Sequence, residues 1–300
     1  MLYFCYSDKY TGELTGHVFP IEKYKMVYER LKSEKLITDK NLIGPIKPLR
    51  KELSLVHTNN YLDDLFNLRF THRTYPSELP LNQKILDFFL ITTGGTISAA
   101  KMACKHNVAI NLAGGYHHAF PDRAEGFCYL NDVAISIRLV QKEKLASKVL
   151  IVDLDLHQGN GNAYIFRDDP TVFTFSMHQE SNYPIKQRGD LDIGLDNSTT
   201  DIQYLEYLQK ILPGLIEKQK PELIFYLAGA DPYYNDILGG LSLTKEGLKK
   251  RDEFVINKAQ EKNIPICIVL AGGYAENTND IVDIHCNTCY IAKKYSGTFS

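Results

Sequence analysis

No stretch of this chain is apolar for the roughly 18 residues that a membrane-crossing helix needs, so no helical span is expected. Charge of one sign is equally missing. Lys and Arg total 34 against 36 Asp and Glu, a net charge of -2, without the basic field that draws proteins to nucleic acid. The opening Met1-Leu2-Tyr3-Phe4-Cys5-Tyr6 lacks the basic and long apolar regions of a signal peptide and reads as a first strand. Cysteine supplies no framework either. Cys5, Cys104, Cys128, Cys267, Cys286 and Cys289 lie in apolar or helical surroundings, and a chain of 300 residues needs no disulfide staples. Cys286-Asn287-Thr288-Cys289 is a lone C-x-x-C; a zinc ribbon needs a second pair, so these read as reduced thiols of a helix. A cytoplasmic protein is expected.

What is present is the composition of an ordinary globule, 44% hydrophobic and long enough for a sizeable core. No internal repeat, low-complexity segment or linker interrupts it. Residues 71–84, with Pro76 and Pro80, are loop-like but too short to separate domains, so residues 1–300 are read as one domain. Five β-branched runs end in small or polar residues: 107–112, 149–155, 171–176, 223–227 and 266–270. Helical spacing of apolar residues marks 129–144, 201–218 and 244–261, the last with capping chemistry around Thr244. Alternation of strand and helix predicts an α/β fold with a central, mainly parallel sheet.

The chemistry-bearing residues follow the carboxyl ends of these runs, where open α/β sheets bind ligands. Read as a strand, Val149 to His157 puts Asp153, Asp155 and His157 on one face, since side-chain direction repeats every two residues. Two carboxylates and an imidazole buried together repel and lose solvation unless a cation joins them, and oxygen and nitrogen donors with open positions suit zinc. Asp231 ends the run Leu223 to Ala230 in the same way and is the natural third ligand beside Asp155 and His157; the competing reading makes it the cap of the next helix. Asp153 is then surplus and free to orient His117. His117-His118, after Gly114-Gly115-Tyr116, offers a base and an acid near neutral pH, against the blander reading of two structural histidines. Tyr274 follows Ala271-Gly272-Gly273, where a phenol can reach a developing oxyanion; tyrosine occurs 19 times, so position carries this inference. A two-metal site of the arginase type lacks its carboxylates, because Gly159 and Tyr233 stand in their places.

These stretches resemble the zinc-dependent histone deacetylase superfamily over nearly the whole chain, from Gly16-His17-Val18-Phe19-Pro20 to Gly272-Gly273-Tyr274. Gly114 to Ala119, Glu125 to Asp132, Asp153 to Gly161 and Ala228 to Pro232 carry the likeness in order. His157-Gln158-Gly159-Asn160-Gly161 and Thr92-Thr93-Gly94-Gly95-Thr96 look most like class IV deacetylases and their bacterial relatives. The resemblance implies an arginase/deacetylase-like three-layer α/β/α fold. It implies Zn2+, or Fe2+ in its place, on Asp155, His157 and Asp231, with His118 as base then acid, His117 tuning the field and Tyr274 polarising the carbonyl. A structural K+ or Na+ would map to Asp153, Asp155, His157, Ser176 and Met177. Where better-known deacetylases carry Asp beside the second His, this chain has Asn160, whose neutral amide leaves His118 readier to stay unprotonated.

By the same resemblance Gly126 and Phe127 line the substrate channel, with Tyr183 and Leu238 near them, although each also reads as ordinary core packing. Cys128 beside this wall reads as a buried, inert thiol. Expected activities are removal of acetyl or longer fatty acyl groups from N-ε-acyl-lysine of a protein or peptide, or deacylation of small amines such as acetylpolyamines. A non-catalytic acyl-lysine binder is the third expectation; intact His118 and Tyr274 speak against it.

Overall fold

The computed structural model describes residues 1–14 and 16–297, so residues 15 and 298–300 of the expected 1–300 domain lie outside the described residues. Its strands are β1 (Tyr3–Cys5), β2 (Leu42–Ile43), β3 (Val108–Asn111), β4 (Val149–Asp153), β5 (Val172–Gln179), β6 (Leu191–Leu195), β7 (Leu223–Leu227) and β8 (Ile266–Val269). They form one sheet in the order β2-β1-β3-β8-β7-β4-β5-β6, every neighbouring pair parallel. The helices are α1 (Lys23–Ser33), α2 (Arg50–Leu53), α3 (Asn59–Phe66), α4 (Gln83–His106), α5 (Asp132–Lys142), α6 (Asn160–Phe166), α7 (Asp201–Gln219), α8 (Lys245–Glu261) and α9 (Thr278–Tyr295).

The sheet is apolar on both faces, as parallel sheets covered by helices must be. Leu150, Val152, Ile224, Tyr226, Ile266 and Ile268 face the larger core, with residues of α1, α7, α8 and α9. The alternate residues Val149, Ile151, Leu223, Phe225, Cys267 and Val269 face the other core, with Ala99, Ala100 and Ala103 of α4 and Val133, Ala134 and Ile137 of α5. The result is three layers, helices on either side of the sheet.

Local signals explain most boundaries. Thr244 caps α8 by accepting from Gly247 N–H at 3.0 Å, and Asn131 caps α5 by accepting from Ala134 N–H at 2.8 Å. Consequently α5 begins at Asp132 rather than at Tyr129. The strand expected over 149–155 stops at Asp153. There the Asp153 carboxylate accepts from Asp155 N–H (3.2 Å) and the Asp155 carboxylate from His157 N–H (2.9 Å), so the side chains capture donors that a longer ladder would use. Asp155 and His157 therefore sit on a curled loop, not on a strand face. All six cysteines are free, and no helix among the described residues is long and apolar enough to cross a membrane.

The central strands β3-β8-β7-β4 lie side by side, and each ends in a loop that carries one piece of the expected chemistry.

Candidate active site

The turn after β3 presents the two histidines. Gly114 and Gly115 take positive φ, +82° and +85°, which glycine adopts without penalty. At Gly115 a Cβ would stand 2.8 Å from the Cβ of Ala271, so the turn packs hard against the end of β8. The Asp132 carboxylate, at the start of α5, accepts from Gly115 N–H (3.0 Å) and Tyr116 N–H (2.7 Å) and fixes the turn.

His117 and His118 are buried and touch through their Nε2 atoms at 3.1 Å. Their outer nitrogens meet different partners: His117 Nδ1 bonds Asp153 Oδ2 at 2.7 Å, His118 Nδ1 bonds Asn160 Oδ1 at 2.8 Å. Asn160 Oδ1 also accepts from Gly161 N–H (3.0 Å), while its amide NH2 donates to Glu125 at 2.6 Å. That network fixes the tautomer: His118 carries its proton on Nδ1 and its lone pair on Nε2. Charge follows the same division. Burial works against protonating His117, but Asp153 and Asp155 outweigh it and push it up to about 9. Burial, then the charges of His117 and His157, hold His118 well below the usual imidazole range.

Beyond β4 and β7, Asp155, His157 and Asp231 converge. They are 2%, 7% and 0% exposed, and a donor atom from each lies within 4.8 Å of the others. His157 Nδ1 is 3.3 Å from Asp155 Oδ1 and 3.2 Å from Asp231 Oδ2. A tetrahedral ion with bonds of about 2.0–2.1 Å needs donors about 3.3 Å apart, so both separations from His157, and the chemistry of all three donors, suit zinc. Without an ion the cluster is frustrated. Burial and the charge on Asp155 push Asp231 up to about 7, while the His117 and His157 charges overcome burial to hold Asp155 low. Asp231 caps no helix: turns follow it, and α8 begins only at Lys245. Among the described residues this is the one such cluster. A Cβ at Gly159 would stand 2.4 Å from Asp153 Oδ2, leaving no room for an arginase-type second carboxylate.

Tyr274 enters from the loop after β8, 9% exposed, its ring 6.5 Å from that of His157. Two residues that sequence reasoning missed hold it. Asp236 accepts from Tyr274 N–H (2.6 Å) and from Leu238 N–H (3.0 Å), joining the tyrosine to the channel wall. Lys23, fully buried, donates to the carbonyls of Ala271 (3.1 Å) and Gly273 (3.3 Å) and lies 5.5 Å from the centre of the Tyr274 ring. Ser176 is paired in register with Asp153 across β4 and β5, and its hydroxyl bonds His178 Nδ1 at 2.9 Å; Met177 beside it is fully buried.

A channel of about 230 Å3 leads in, lined by Gly126, Phe127, Tyr183 and Leu238 together with Glu78, Asn182, His118, His157 and Tyr274. Gly126, Phe127, Tyr183 and Leu238 thus line one pocket. Gly126 is required by contact: a Cβ would meet His118 Cδ2 at 2.7 Å and the Tyr183 hydroxyl at 2.8 Å. The Phe127 ring stands edge-on to Tyr274 at 5.8 Å. Glu78, an exposed carboxylate at the mouth, carried no sequence signal beyond its place in the 71–84 loop. Around His117, His118, Asp155, His157 and Tyr274 the space narrows to about 20 Å3, closed behind by Phe19, Tyr24, Tyr116, Cys128 and Ala271.

Comparison with known proteins places this geometry. Residues 17–289 match the family model described as histone deacetylase domain. The chain is 42% identical over 271 residues to an uncharacterized protein of Picosynechococcus sp., covering 90% of each. It is 33% identical over 293 residues to histone deacetylase 2 of Arabidopsis thaliana (92% of this chain, 76% of that one). With the acetoin utilization protein AcuC of Bacillus subtilis it shares 30% over 267 residues, covering 80% and 69%. The crystal structure of the HDA15 HD domain superposes with a TM-score of 0.80 over 99% of this chain and 92% of that one, at 20% identity. At that identity the likeness speaks for the fold, and the arginase/deacetylase-like three-layer arrangement expected is the one found.

Proposed function

Because this chain belongs to the histone deacetylase family, hydrolases that act on amides, we propose that it removes acyl groups from N-ε-acyl-lysine of a protein or peptide. The observation that carries this reading is the placing of two touching imidazoles, one backed by the Asp153 carboxylate and the other by the Asn160 amide, beside a three-donor cluster that fits zinc. Asp155, His157 and Asp231 would hold the ion, Zn2+ or alternatively Fe2+, which when bound would supply Lewis acidity toward water and the acyl carbonyl. His118 Nε2 takes the proton of the attacking water and later returns it to the departing lysine nitrogen, so that amide and water become carboxylic acid and amine, which part as carboxylate and ammonium. His117, kept charged by Asp153, holds positive field over the site without competing as base. The Tyr274 hydroxyl donates to the developing oxyanion, on a backbone pinned by Asp236. Asp153 at the end of β4, Asp155 and His157 just beyond it, and Ser176 and Met177 on the neighbouring β5 would seat a structural K+ or Na+.

The lysine stem runs along Phe127, Tyr183 and Leu238, and the acyl end points toward the inner space. That space, about 20 Å3 around the histidines and the cluster, is near the size of a single water molecule's site, which favours acetyl over long fatty acyl groups. Sequence motifs of class IV type, a cytoplasmic setting and one catalytic unit over the whole chain belong to the same reading. One observation favours a second substrate class: Glu78 at the mouth is an acidic group suited to the distant ammonium of an acetylpolyamine.

Zinc content and turnover on lysine peptides carrying acyl groups of graded length, with N-acetylputrescine alongside, test this. Zinc-loaded protein with acetyl-lysine turnover exceeding long-chain turnover is expected. Metal-loaded protein that binds acyl-lysine but hydrolyses no amide would overturn catalysis and leave a binding protein. Faster turnover of the diamine, abolished by Glu78→Gln, would move the assignment to polyamines.

A further inference from the structure

Arg251 heads the large side chains with no solvent exposure, and the chemistry above does not use it. It rises from α8 beneath the site, where its Nη1 donates to two carbonyls, Leu154 at 3.1 Å and Gly229 at 2.7 Å. These belong to different loops. Leu154 lies between Asp153 and Asp155, and Gly229 lies two residues before Asp231. Gly229 itself touches the cluster: a Cβ there would meet Asp231 Oδ1 at 2.6 Å and Asp155 Oδ2 at 2.8 Å. One nitrogen thus ties together the two chain segments that supply all three donors.

The guanidinium is in turn held still. Its Nε donates to Asp252 Oδ1 at 2.8 Å, and the same carboxylate accepts from the Tyr226 hydroxyl on β7 and, at 2.5 Å, from Thr288 on α9. A buried ion pair is a weak source of stability, since apolar side chains of similar size fill such space as well. A planar fork that anchors on one side and reaches two carbonyls on the other does what neither an apolar residue nor lysine can.

We propose that Arg251 is a positioning residue, spacing the 153–157 and 228–231 loops so that Asp155, His157 and Asp231 meet one dication. The proposal rests on the metal-site reading above. It is tested on the full chain with Co2+ as probe, reading visible absorption and affinity by chelator competition, in Arg251→Met, Arg251→Lys and Tyr226→Phe. The last loosens Asp252 but leaves both carbonyl contacts. Arg251→Met is expected to weaken Co2+ binding tenfold or more and to alter its spectrum, within the 10–100-fold typical of groups that orient ligands. Arg251→Lys should fall between it and wild type, and Tyr226→Phe should lower Tm with affinity kept within twofold.

Folded Arg251→Lys with wild-type affinity and spectrum would overturn the proposal, and this variant decides should Arg251→Met not fold. Equal losses in Tyr226→Phe and Arg251→Met would also overturn it, reducing Arg251 to core support. Wild-type protein that takes up no Co2+ defeats the proposed function and the clamp together. Wild type that binds Co2+ yet hydrolyses no amide defeats the function alone, and the affinities of the variants still decide the clamp.

Discussion

At the floor of the pocket Asp155, His157 and Asp231 follow β4 and β7 within four residues and are almost wholly buried, whereas at the rim Glu78, Tyr183 and Leu238 come from three separate loops and keep contact with solvent. The floor is fixed by adjacent strands of one sheet, by backbone N–H groups that bond its carboxylates and by Arg251 below. The rim is fixed by a few bonds between loops, such as Asn182 to the Leu238 carbonyl at 2.9 Å. Geometry that must be right to a fraction of an ångström is built within a few residues of the sheet, and geometry that must accept a side chain is built on loops farther from it.

The sharpest break between the two regions is expected from Asp231→Asn. The amide oxygen keeps the bond from Leu156 N–H, now 3.0 Å, but one charge leaves the cluster. Activity should fall by more than the roughly 10²–10³-fold that loss of one oxyanion donor costs, together with measured zinc content. In the metal-free state the effect on stability should have the opposite sign. Asp231 and Asp155 repel in a buried space, so metal-free Asp231→Asn should melt at or above metal-free wild type, without the further rise that metal gives wild type. A metal-free variant that melts well below wild type would show that the carboxylates are not in conflict.

Tyr274→Phe comes next. It leaves the Asp236 bond to the backbone N–H, so the loop should hold. Removing a donor that acts only on the oxyanion should lower kcat by about 10²–10³-fold with KM nearly unchanged. A KM effect instead would assign the phenol to substrate binding, making it a member of the rim.

The floor is legible in the sequence for the reason that makes it rigid. Buried parallel strands are apolar runs, their ends are marked by Ala and Gly, and the side chains that follow them are few. The strand over 149–155 reads two residues too long because Asp153 and Asp155 look like strand positions until their carboxylates take the next N–H groups. Edge strands β2 and β6 leave no such mark, one being two residues long and the other half-exposed with Asp192 and Gly194 inside it. Helix α4 is buried on nearly every side around Thr92 to Thr96, so it has no polar stripe to betray its period. Lys23 and Arg251 look like solvated charges of amphipathic helices. Only the packing of α1 and α8 turns them inward, onto carbonyls 248 and 97 residues away in the chain. Asp236 and Glu78 are illegible because loops bring them to the site with no periodicity to read.

A subtler change probes the boundary between the regions, where Glu125 of the channel loop holds Asn160 behind His118. In the proposed reaction His118 acts as a base when neutral, and burial first, then neighbouring positive charge, depresses its pKa. The neutral form is present above that pKa and lost below it, so the acidic limb of kcat/KM against pH reports it. Asn160→Asp places a carboxylate at the 2.8 Å contact, favours imidazolium and raises the pKa, moving the limb to higher pH by about one unit. Because the new carboxylate would also face Glu125, the measurement belongs in a Glu125→Gln background. Activity on the acidic limb then drops while that near pH 8 is nearly kept. An unmoved limb would detach His118 from it.

The smallest effect is expected from Leu238→Ala at the rim. The leucine amide donates to Asp236, and the substitution keeps that bond, so the tether to Tyr274 survives while the apolar wall loses its side chain. At about 25 cal/mol per Å2, the few tens of Å2 that a lysine stem covers on Leu238 are worth about 1 kcal/mol. That corresponds to KM rising about fivefold with kcat nearly unchanged, since contacts to the stem are made equally before and during reaction. Should kcat fall instead and KM hold, the wall would be acting through Asp236 on Tyr274, and floor and rim would be one mechanical unit rather than two.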